Sequence, residues 1–139
     1  MHVYKWDASL LTEHRNVDND NLQIVRKAQV LCNLIEQHAD QGKIIEVARL
    51  LENIVFSHFE QEEMMQLYSN FGNYTAHKRH HAKLLKAFTS LIHQVIEEPY
   101  NMTHVARMDS LIQDQYFNHI REFDTEAAKY IMQRDYYHN

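Results

Sequence analysis

Residues 47–65 read VARLLENIVFSHFEQEEMM, and their spacing decides the fold. Val47, Leu51, Ile54 and Val55 recur at the period of one helix face. His58 and Glu62, one turn apart, fall on that same stripe. An unpartnered buried charge is too costly to keep, so an imidazole and a carboxylate on an apolar face must be paired or bound to something. The stretch predicts a core helix that carries polar groups inward.

The surrounding chain fits a helical protein. It has 139 residues, enough for one domain with a real core, and 45% of them are hydrophobic. Two glycines and one proline are too few for a strand-and-turn architecture. No stretch approaches the roughly 18 apolar residues of a membrane span, and Trp6 and Asp7 interrupt what would be the apolar core of a signal peptide. A single cysteine, Cys32, excludes an internal disulfide and agrees with a reducing compartment. The expected location is the cytoplasm. A net charge of −5 argues against nucleic acid as a partner. Eleven histidines are the one unusual figure, and they matter only where they converge.

Four segments carry the 3.6-residue period, at about 18–40, 44–69, 74–97 and 103–133. The first, N-capped by Asp18, lines Ile24, Val25, Ala28, Leu31, Leu34 and Ile35 on one face. Gly42 is expected to supply the break before the second, which also places Ile44, Leu50, Phe59 and Met65. The third carries Leu84, Leu85, Phe88, Leu91, Ile92 and Val95 and stops at Pro99. The fourth carries Val105, Met108, Leu111, Ile112, Tyr116, Ala127 and Ile131. Short connections between long amphipathic helices favour antiparallel neighbours. The predicted fold is all-α: an up-down-up-down antiparallel four-helix bundle in a single domain, residues 1–139. Residues 1–17 form an N-terminal arm, with Trp6 and Leu10 packed on the bundle.

The opening pair is not alone. On the third helix, HKRHH places His77 and His81 four apart, in register with Leu84 and Phe88. On the fourth, HIREFD places His119 on the stripe of Ile112 and Tyr116, with Asp124 five residues later. Any one of these histidines is readily read as a hydrogen-bonded core residue. Three pairs on three helices point to metal. Four imidazoles and two carboxylates without a thiolate suit iron, manganese or zinc. Six ligands exceed what one tetrahedral zinc needs, so a dinuclear centre is the economical reading. The Glu-x-x-His pairs of ferritin-like bundles and the His-Glu-x-x-His of zinc proteases are both absent. His80 lies off the stripe, and His2, His14, His38, His93, His104 and His138 read as solvated or peripheral.

At about 100° per residue, five residues turn a side chain roughly 140° from its start. His119 and Asp124 can share one centre only if the fourth helix is distorted, and a π-bulge between them is expected.

These residues resemble the hemerythrin family, specifically its bacterial single-domain members. The motifs are WDASL, HFEQEE, HKRHH and HIREFD, and they span nearly the whole chain. The resemblance implies a non-heme di-iron centre that binds O2 reversibly, and small anions such as azide. His77, His81 and His119 would hold one iron and His58 the other. Glu62 and Asp124 would bridge the two, together with an oxo or hydroxo group.

The family places a further His on its first helix, and here that position falls on Asn21. Three arrangements are open. Asn21 coordinates weakly or leaves room for water; His14 folds in as a substitute; or the second position is partly empty and His77, His81 and His119 hold a mononuclear centre. A hydrogen-bonding role for Asn21 near the helix start is the bland alternative. The implied function is oxygen storage, delivery or sensing, with weaker O2 affinity or faster oxidation at the altered iron. A di-iron enzyme acting on peroxide or nitric oxide, and a structural iron-binding protein, are the competing classes. A monomer is the simplest state.

Overall fold

The computed structural model describes residues 2–138. It is all-helical, with no strand among the described residues. Helix α1 spans Arg15–Glu36, α2 Gln41–Tyr68 and α3 Tyr74–Glu97. A fourth helical run, residues 103–138, is written α4 and is built of five successive pieces. It opens with ordinary α-helix, Thr103–Ser110, and passes through a π-helical stretch, Leu111–Tyr116. A single α turn, Phe117–His119, leads into a second π stretch, Ile120–Asp124, before α-helix resumes over Thr125–His138. The arrangement is that of a helical bundle: α1 packs on α2, α2 on α3, and the first piece of α4 on both α1 and α3.

The apolar stripes meet in one core. Ile24, Leu31, Leu51, Val55, Phe88, Ile92, Ile112 and Ile120 all lose essentially their whole surface there. Leu50 departs from the expected stripe and is exposed. Ahead of α1, a short 3₁₀ turn (Ala8–Leu10) delivers Leu10 into the core, and Trp6 meets Phe117 edge-on with ring centroids 6.2 Å apart.

The helix ends correct three expectations. Asp18 is not the N-cap of α1. That place belongs to His14, and Asp18 lies in the first turn, accepting from the Thr12 amide at 2.9 Å and its hydroxyl at 2.7 Å. Gly42 does not break the chain, for it lies in the first turn of α2 without positive φ. The break is His38, at φ 49°, which closes α1 with paired bonds from the His38 amide to Ile35 O and from the Ala39 amide to Leu34 O. Asn70 repeats the device after α2, at φ 56°. Finally, His104 is buried rather than peripheral, with Nε2 3.0 Å from the carbonyl of Glu98. Pro99 acts as expected: α3 ends at Glu97, two residues before it.

Candidate metal centre

α2 delivers Glu62, α3 delivers His77 and His81, and α4 delivers His119 and Asp124. All five are buried, and each points one donor atom into a space where these atoms lie within 4.8 Å of one another. The i,i+4 spacing of His77 and His81 does on α3 what helical geometry requires. On α4 the second π stretch does the equivalent work for a five-residue step. Its i→i+5 turn brings Asp124 round over His119, and Thr125 closes the widened turn with a hydroxyl bond to the carbonyl of Ile120 at 3.1 Å. The distortion expected between His119 and Asp124 is therefore present. The first π stretch, Leu111–Tyr116, has no counterpart in the sequence reading.

Nε2 of His77 stands 2.8 Å from Glu62 Oε1, 3.0 Å from Asp124 Oδ1 and 3.3 Å from His119 Nε2. His119 Nε2 stands 2.9 Å from Asp124 Oδ1, and His81 Nε2 3.7 Å from Glu62 Oε1. In an octahedron with bonds of about 2.1 Å, neighbouring donors are about 3.0 Å apart. Four of these five separations lie near that spacing, and the His81–Glu62 distance is wider.

The outer nitrogens bear on which ring atom faces inward. His81 Nδ1 lies 3.0 Å from Glu63 Oε2. An ionised carboxylate only accepts, so the ring proton sits on Nδ1 and Nε2 presents a bare lone pair, which has no hydrogen-bond partner. His119 Nδ1 meets His80 Nδ1 at 2.7 Å, with the two rings stacked. His77 Nδ1 meets the amide of Gln66 at 2.8 Å, and Gln66 Oε1 has no partner of its own. A half-turn of that amide would supply an acceptor for Nδ1–H, at the loss of the 3.4 Å bond that Gln66 Nε2 donates to Glu62 Oε1. Each of the three imidazoles thus turns Nε2 inward and Nδ1 onto an outer partner, as metal-bound histidines do.

Burial sets the charges. It lowers the pKa of His77, and it drives His81 down to about 2, with His77 and His119 adding to the effect. Both are neutral, as ligands must be. Burial, reinforced by the charge of Asp124, raises Glu62 well above the ordinary carboxyl range. Burial alone would raise Asp124 too, but the charge of His119 and hydrogen bonds from His119 and His77 hold it well below that range.

His58 and Asn21 lie beside this cluster and not in it. His58 Nε2 is 2.7 Å from Asn21 Oδ1 and 3.3 Å from Glu62 Oε2, and its Nδ1 is 3.3 Å from Asp20 Oδ2. Asn21 is fully buried, as expected from its stripe; it donates from Nδ2 to Asp124 Oδ2 at 3.1 Å and accepts from the Tyr116 hydroxyl at 2.6 Å. His14 caps α1, its Nδ1 accepting from the Val17 amide at 3.4 Å, and it is not among the five clustered donors. A cavity of about 500 Å³ runs from His14, Met65 and Tyr68 down to His58 and Glu62.

The sequence reading missed the outer partners. Gln66 is one turn beyond Glu62 on the same face, a signal that was there to use. Glu63 and His80 directly adjoin ligands, but their roles depend on which neighbouring helix they face. A second donor group, His2, Cys32 and Asp109, lies about 16 Å further along α1 from Asn21. It is self-satisfied: His2 pairs with Glu36 and Asp109, Cys32 lies 3.4 Å from the Tyr4 hydroxyl, and burial pushes the thiol up to about 12.

The five buried donors define a site that could hold a metal ion. Comparison with family models, curated proteins and solved structures finds no match to this chain.

Proposed function

We propose that this chain is a non-heme iron protein of the hemerythrin type that binds O2. The observation that carries the reading is the meeting of three imidazole nitrogens and two carboxylate oxygens in one buried space. A cation among these atoms would draw on all five, and a nitrogen-oxygen set without thiolate suits iron. Five donors leave one octahedral position for a small ligand. Iron would supply the reversible donation of electron density to O2; the chain holds the donors and orients their rings through Gln66, Glu63 and His80.

The same reading takes the helices as up-down-up-down with the residues ahead of α1 as an arm, the location as cytoplasmic and the state as monomeric. Its two-iron form would place the second ion against His58, with Glu62 and Asp124 bridging. A second reading, an enzyme acting on peroxide or nitric oxide, is favoured by the cavity that reaches His58 and Glu62 from the surface.

Iron per chain, measured after anaerobic purification, followed by absorption spectra with O2 and azide, tests the proposal. Bound iron with new charge-transfer bands is expected. Iron that ignores both ligands would reduce the site to a structural role, and rapid turnover of peroxide would favour the enzyme.

A further inference from the structure

We propose that Asn21 sets the number of metal ions in this centre, by filling the place of a second ion with its own amide. The inference rests on the five-donor cluster being the iron site.

A first ion, held by Nε2 of His77, His81 and His119, uses Glu62 Oε1 and Asp124 Oδ1. The atoms left to a second ion are Glu62 Oε2, Asp124 Oδ2 and His58 Nε2. Asn21 engages two of these three. Its Nδ2 donates to Asp124 Oδ2 at 3.1 Å, and its Oδ1 stands 2.7 Å from His58 Nε2. The third, Glu62 Oε2, lies 3.3 Å from that same His58 nitrogen and has no hydrogen bond. The amide is itself held in place, because the fully buried Tyr116 donates its hydroxyl to Asn21 Oδ1 at 2.6 Å. Admitting an ion here requires turning the fully buried Asn21 away from Asp124 and stripping Oδ1 of its donors.

Asn21 therefore keeps His58 and Asp124 satisfied and the centre mononuclear. His58, although a ligand by its motif, is a hydrogen-bonded neighbour.

The test counts metal. Wild type, Asn21→Asp and Asn21→Ser are each titrated anaerobically with Fe2+ and separately with Co2+. Bound metal is measured after dialysis, and helix content by circular dichroism. Wild type is expected to bind one ion per chain tightly and a second at least about 100-fold more weakly. Asn21→Asp replaces the amide by an anionic donor of the same size that no longer donates to Asp124, and is expected to hold two ions. Asn21→Ser retains no amide and is expected to strengthen the second site by about 10-fold or more. Two ions of matched affinity in wild type would overturn the inference while leaving the iron reading intact. A single ion in wild type and in both folded variants would overturn it equally. No ion in any of them would bring down the iron reading itself, so the two failures are distinct.

Discussion

Gln66 carries no charge and matches no metal motif, yet its amide meets the outer nitrogen of His77 inside the core. Replacing it with leucine keeps the volume and removes the orienting group. Metal affinity of Gln66→Leu is expected to fall about 10–100-fold with helix content unchanged, read by competition with a chromophoric chelator. Glu62 and His81 give opposite pH signatures in the metal-free protein. His81, near 2 in the fold against an ordinary 6.5, refuses a proton that the unfolded chain binds, so stability is lost as pH falls from 6.5 towards 2. Glu62, raised above 4.5, keeps its proton in the fold, so its contribution is lost as pH rises through the raised value. Glu62→Gln should match wild type below pH 4.5 and exceed it by about 1–3 kcal/mol at pH above that raised value, in urea unfolding without metal. The same variant should lose metal affinity by at least about 100-fold. Equal stability across the whole pH range would mean that Glu62 is not strained in the empty site.

At the scale of the element, α4 gives up regular geometry twice, and the second departure sets the angle of Asp124 against His119. The Thr125 hydroxyl bond to Ile120 O supports that turn. Thr125→Val keeps the shape and removes the bond. It should cost about 0.5–1.5 kcal/mol in urea unfolding and weaken metal binding, because Asp124 loses its fixed approach. The five-residue step made this distortion legible, since a regular helix carries the two side chains apart. The upstream π stretch left no such mark, because its residues, Leu111 to Tyr116, read as an ordinary apolar stripe. Helix ends were partly legible. Pro99 stops α3 through sterics that any chain obeys, whereas His38 and Asn70 adopt a conformation usually given to glycine, and composition therefore pointed to Gly42 instead.

At the scale of the whole molecule, the site and the core stabilise each other. Leu10 reaches the core from outside the four long helices and is fully buried there. Leu10→Ala should cost about 2–5 kcal/mol, measured by denaturant unfolding, through lost burial and the cavity left behind. Metal acts in the opposite sense. An ion held at 100 times its dissociation constant should add about 2.7 kcal/mol, seen as a rise in Tm that chelation reverses. A Tm indifferent to metal would mean that the five donors do not bind it in the folded state.

The amino-acid sequence by itself determined the helices and the inward direction of Glu62, His77, His81 and His119, because both follow from residue spacing on a single helix. Period 3.6 places Leu51, Val55, His58 and Glu62 on one face wherever that helix packs, and four residues separate His77 from His81 by one turn in any fold. Only the tertiary structure decided what meets what between helices. It set Asn21 of α1 against His58 of α2 and both Tyr116 and Asp124 of α4, and it set His80 of α3 against His119 of α4. Those contacts join residues far apart in the chain. Their distances depend on the packing of whole helices, which no local spacing encodes.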